Sequence, residues 1–152
     1  MDWKSLFFTA EGRIGRQTFW IGWLMLLGAH MVAGWIPLIG WAIGLAATFA
    51  GVCLYAKRLH DMGRTGWWQL LPILLGPVLV VASAISIGFG ALAADLLHGD
   101  AGVAALAGVG GLFVSLAIAL VVLVSFTLWV GISEGQIGEN RYGDPPLTPV
   151  LV

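Results

Sequence analysis

"LIGWAIGLAATFAGVCLYAKRLHDMGRTGWW", residues 38–68, runs from 38 to 56 without one Asp, Glu, Lys or Arg and then gathers Lys57, Arg58, His60, Asp61 and Arg64 within a few positions. A helix rising about 1.5 Å per residue makes the apolar part long enough for the roughly 30 Å hydrocarbon core of a bilayer. A buried helix of a water-soluble protein could be equally apolar. Composition removes that alternative. Of 152 residues 59% are hydrophobic and only 10% charged, with a mean hydropathy of +0.95, whereas soluble domains carry roughly 25% charged residues. So few polar groups cannot coat a surface facing water, and lipid must be the surrounding medium.

Three more charge-free runs accompany this one. The expected fold class is all-α integral membrane: a four-span helical bundle in a single membrane domain over 1–152. Its spans are expected at about 18–35, 38–56, 69–94 and 102–132, with a tail over 133–152. The first run begins near Thr18 and passes any convincing small-residue cleavage site, so it reads as a retained span. Only Ile36 and Pro37 separate the first two spans, which predicts a tight antiparallel hairpin. The link over 95–102 is polar and acidic, with His98 as an exposed loop residue, and the Gly- and Pro-rich tail reads as loop.

Orientation follows from the cations. Lys4, Arg13 and Arg16 precede the first span, Lys57, Arg58 and Arg64 join the second to the third, and Arg141 follows the fourth. In a four-span chain these segments share one face, and the positive-inside rule makes it cytoplasmic, with both termini inside. Trp20, Trp23, Trp67, Trp68 and Trp129 fall near that border, and Trp35 and Trp41 near the other, as interfacial indoles should. Trp3, Leu6, Phe7 and Phe8 read either as a short interfacial segment or as an unstructured tail.

Within the spans, Gly40, Gly44, Ala47 and Gly51 form a stripe of small residues expected to be a helix-packing face. Pro72 and Gly76-Pro77 predict a kink in the third span. Gly108, Gly110 and Gly111 predict a loosened start to the fourth. His30 reads as a hydrogen-bonding packing residue, and the span Ser and Thr residues as bonding their own helix carbonyls. Cys53 stands alone, so no intrachain disulfide forms and no cysteine-based metal site exists.

Two further polar segments accompany the one at 57–68: "EGRIGR" at 11–16 and "GENRYGDPP" at 138–146. The second helix is expected to run a turn beyond the membrane, with Lys57 and Arg58 facing Asp61 at helical spacing and Gly63 and Gly66 ending it. The three segments should then converge at one end of the bundle. "GRIGRQTFW" at 12–20, "KRLHDMGRTGWW" at 57–68 and "GENRYGDPP" at 138–146 together resemble the signatures of the family named domain of unknown function 805. Lys57 and Gly143-Asp144 depart slightly from its pattern. The resemblance implies a small multi-span helical protein of the bacterial plasma (inner) membrane with no established activity.

The favoured functional reading is non-enzymatic: Arg13, Arg16, Arg58, His60, Asp61, Arg64, Asn140 and Arg141 as a cluster that binds an anionic lipid or a protein partner. Arginine suits the task because its planar fork meets a phosphate bidentately and keeps its charge. The competing reading makes Arg58–Asp61, and Arg141 with Glu134 or Glu139, internal ion pairs that lock the bundle. An enzyme acting on a lipid phosphate would use His60-Asp61 with Glu134, Glu139 or Asp144 as acid and base or as metal ligands. The chain carries no Gly-x-Ser-x-Gly or His-Glu-x-x-His to support it. Transport, by a small transporter or channel whose pore an oligomer encloses, would need ionisable groups at mid-depth, and His30, the one such residue in the spans, lies toward the outer end of the first. No catalytic residue, cofactor or metal is expected. Expected partners are membrane lipids, a second copy of the chain or another membrane protein, and no nucleic acid.

Overall fold

The structure is a computed structural model describing residues 3–37, 39–96 and 100–146. The expectations for His98 and for the tail beyond Pro146 lie outside the described residues. In chain order the elements are α1 (Trp3–Phe8), α2 (Arg16–Ala33), α3 (Ile39–Asp61), a 3-10 turn (Gly66–Gln69), α4 (Leu70–Leu96) and α5 (Ala101–Ile132). Among the described residues no strand forms, and one isolated bridge joins Asn140 to Gly143. Three stretches are long and apolar enough to cross a membrane: Ile39–Asp61, Gly66–Ala94 and Gly108–Ile132. The first expected span folds as α2, which opens on Arg16 and Gln17, carries His30 and is not among the three.

The described residues gather into two units, one up to Gln69 together with those from Leu128 onward, the other between them. In the first unit α2 and α3 pack as the expected hairpin. Backbones approach where side chains are missing: a Cβ on Gly22 would stand 2.8 Å from Leu54 Cδ1, and one on Gly40 would run into the Ala33 carbonyl. Gly44 faces open space. The packing face of α3 is therefore Gly40, Ala47, Ala50 and Leu54, with Gly51 facing Leu26, so of the expected stripe only Gly44 turns away. His30 ties the hairpin laterally: Nδ1 donates to the Leu26 carbonyl at 2.9 Å and Nε2 lies 3.3 Å from Thr48 Oγ1. It fills the packing role expected of it.

α1 packs on α3, burying Leu6, and Lys57 Nζ donates to the Ser5 carbonyl. The amino-terminal segment is thus a docked helix, and Lys57 reaches it. Around the first turn of α2, Phe19 packs edge-on to Tyr55 (5.2 Å, 87°), whose hydroxyl accepts from Trp23 Nε1 at 3.1 Å. Phe19, Leu54, Leu59 and Val130 are completely buried, and Arg58, 1% exposed, is buried among them.

In the second unit every described residue short of Thr127 keeps some exposure, as expected of helices solvated by lipid. Ser83 Oγ donates to the Leu79 carbonyl at 2.8 Å and lies 2.6 Å from Ser115 Oγ, linking α4 to α5. Pro77 sits inside α4, where its missing N–H removes one bond of the ladder. α5 is helical straight through Gly108, Gly110 and Gly111, so the loosening expected there is absent. The α5 start is fixed by Asp100, whose Oδ1 accepts from the Gly102 and Val103 amides at 2.8 and 3.4 Å, an N-cap.

Candidate functional site

The end of α3 organises the polar segments. After Asp61 the helix closes on Gly63, which has φ +71°, a conformation open to glycine at no steric cost. The Gly63 amide bonds the His60 carbonyl at 2.9 Å and the Arg64 amide bonds the Leu59 carbonyl at 2.8 Å, the paired pattern that ends many helices. This termination leaves Arg58 and Asp61 on the last turn, three residues apart and joined by an Nη1 to Oδ2 ion pair. The expected Arg58–Asp61 contact is present.

Arg13 approaches the same carboxylate from the amino-terminal motif. Its Nε and Nη2 both lie 3.1 Å from Asp61 Oδ1. Its other donors reach the tail: Nη1 bonds the Gly138 and Gly143 carbonyls at 2.7 and 3.2 Å, and Nη2 bonds that of Gln136 at 2.5 Å. Arg58 is as fully engaged. Nε donates to the Val130 carbonyl at 3.1 Å, Nη1 to that of Ile14 at 3.4 Å, and Nη2 to that of Ser133. Val130 lies in the last turn of α5 and Ser133 directly follows it, where carbonyls have no partner inside the helix and a cation is favourable. Burying two guanidiniums carries a heavy desolvation cost, offset here because the donors meet a carboxylate and a shell of carbonyls.

The tail closes over this centre. Gly135 lies so near Asp61 that a Cβ there would overlap the carboxylate, and the Gln136 amide bonds the Asp61 carbonyl at 2.7 Å. Asn140 then turns the chain: its amide and carbonyl pair with those of Gly143, and its Oδ1 accepts from the Tyr142 amide at 2.9 Å. Its Nδ2 reaches the His60 carbonyl at 3.0 Å and Gln136 Oε1 at 3.1 Å. The turn lays the Tyr142 ring flat on His60, 3.7 Å between centroids and 6° between planes. Arg141 lies over the Tyr142 ring at 4.7 Å and makes no ion pair with Glu134 or Glu139. Glu134 pairs instead with Arg16 at 3.1 Å.

The eight residues singled out in the sequence thus separate by what their polar atoms do. Arg13, Arg58 and Asn140 are spent holding backbone, Asp61 is spent on the two guanidiniums, and His60 is covered by Tyr142. Arg16 lines a cleft of about 560 Å³ together with Gln17, Thr18, Gln136, Ile137 and Pro146. Its ion pair is loose, the two side chains being 47% and 89% exposed, and such pairs contribute less than about 1 kcal/mol. Arg64 stands apart, its guanidinium 5.0 and 5.1 Å from the ring centres of Trp68 and Trp129. Composition did not point to Gly131, whose missing side chain makes room for the Trp20 ring, or to Gly135. Among the described residues no three His, Cys, Asp or Glu side chains are grouped to hold a metal.

These features define an all-helical membrane protein whose three polar motifs are drawn together around one buried carboxylate. The chain belongs to the family described as Protein of unknown function (DUF805), whose model matches residues 7–144. It is similar to the uncharacterized protein YiiR of Escherichia coli strain K12, 33% identical over 152 residues that cover 94% of this chain and 89% of the relative. The YiiR of Escherichia coli O157:H7 matches to the same extent. No solved structure matches.

Proposed function

We propose that this is a non-enzymatic, four-span protein of the bacterial plasma membrane, both termini cytoplasmic, that binds an anionic group in the cleft beside Arg16. A phospholipid headgroup is the simplest occupant, and an acidic segment of a protein partner shares its chemistry. The cleft carries the reading: the amino-terminal and carboxy-terminal motifs and the end of α3 all line it. Among the described residues its accessible cation is held only by an exposed carboxylate that a ligand can displace. The best acid-base candidate, Asp61, speaks against catalysis, since its carboxylate is 4% exposed and bonded by two guanidiniums.

The test is native mass spectrometry of the detergent-purified protein titrated with phosphatidylglycerol and, separately, phosphatidylcholine. Arg16→Gln is expected to weaken phosphatidylglycerol binding about tenfold, the loss of one charge-assisted bond. Glu134→Gln is expected to strengthen it by freeing Arg16. Equal binding by all three proteins overturns the proposal.

A further inference from the structure

Among the described residues Arg64 is the cation seated on two indole rings at once. Three residues before it Ile39–Asp61 ends, and two residues after it Gly66–Ala94 begins, both stretches long and apolar enough to cross a membrane. Trp129 lies three residues from the end of Gly108–Ile132, the third such stretch. Arg64 and the two indoles it touches therefore stand at one membrane border. The rings of Trp68 and Trp129 are 6.2 Å apart and inclined by 55°, and the guanidinium carbon lies about equally far from both, at 5.0 and 5.1 Å.

A guanidinium held by ring faces differs from one held by a carboxylate. The ring attracts the cation through its quadrupole and takes none of its N–H donors, which lie in the guanidinium plane and point outward. Among the described residues no carbonyl, hydroxyl or carboxylate accepts from the Arg64 side chain. Arg13 and Arg58, by contrast, meet carbonyls and the Asp61 carboxylate. At the headgroup level the abundant planar-fork acceptor is the phosphodiester. The indoles remain partly uncovered, Trp68 at 45% and Trp129 at 36%, with Trp67 beside them at 76%, so apolar surface is at hand for the glycerol and upper acyl chain.

We propose that Arg64, seated on Trp68 and Trp129, is a second anion site that binds the phosphodiester of one membrane phospholipid, independent of the cleft at Arg16. Arg64 provides the paired N–H donors, and the indoles orient its plane and pack against the lipid backbone. The mode of holding argues for a lipid over free phosphate, because rings flanking the donors add nothing to an ion without a hydrocarbon part.

The experiment is again lipid titration read by native mass spectrometry, with folding checked by the melting temperature of each variant. Arg64→Gln is expected to lose one phosphatidylglycerol adduct and bind about tenfold more weakly at that site. Arg64→Lys, which keeps the charge and loses the fork, should fall between. Trp68→Leu should weaken the site while leaving Arg64 charged. Arg16→Gln should leave this adduct in place, so failure of the cleft and failure of this site read differently. Excess inorganic phosphate is expected not to displace the lipid. The proposal is overturned if folded Arg64→Gln takes up the same number of lipids with the same affinity, or if inorganic phosphate alone competes the adduct away.

Discussion

Asp61 exposes 3% of its surface and faces both Arg13 and Arg58, so removing its charge leaves two buried cations each short of an acceptor. Breaking a buried pair in this way costs about 3–5 kcal/mol. Asp61→Asn should therefore lower the melting temperature in detergent markedly, while Glu134→Gln, at an exposed pair, should move it little. Comparable shifts for the two would mean that the buried carboxylate is not the anchor described above. The Arg58–Asp61 contact was legible, since residues three apart on a helix are neighbours. The partners of Arg13 were not. Gln136, Gly138 and Gly143 contribute carbonyls, which every residue owns and no residue type advertises.

At the scale of elements, the segment after α5 has no ladder of its own and is held by borrowed bonds. Asn140 makes three side-chain hydrogen bonds, to the His60 carbonyl, to Gln136 Oε1 and from the Tyr142 amide. Asn140→Ala should loosen the tail by about 1–3 kcal/mol, the range for losing such bonds. The expected signature is faster amide exchange over residues 133–146 with an unchanged helical circular dichroism signal. Unaltered exchange would show that the tail is held without Asn140, by Arg13, Arg58 and the Gln136 amide. The helices themselves were readable from length and apolarity, and the end of α3 from Gly63. The competing reading pairs Arg141 with Glu134 or Glu139, opposite charges close to it in sequence. The Asn140–Gly143 turn instead directs it over Tyr142, and turn geometry depends on φ at Gly143, +113°, which charge counting does not see.

For the whole molecule, the distribution of cations makes a directional prediction. With Cys53 replaced by Ala, a cysteine at Ile36 should react in intact cells with a maleimide that cannot cross membranes, and one at Glu11, on the other side of α2, only after lysis. Labelling of both from outside would break the two-sided arrangement and leave α2 short of spanning. That helix, 18 residues from Arg16 to Ala33, is about 27 Å long at 1.5 Å per residue, marginal for a bilayer, and the labelling decides its role. Class and motif convergence were visible in the sequence because lipid permits few solutions. Which arginines are engaged was not, since that depends on contacts made across the chain. Arg58 finds Val130 seventy-two residues further on. During synthesis it must leave the ribosome long before Val130 and Ser133 exist, so the seam at this end can be sewn only when nearly all of the polypeptide has been made. A chain stalled before that point carries an unfinished last helix and a cation that lacks two of its carbonyl acceptors, a chemical mark of incompleteness at the site where the finished protein is tightly fastened.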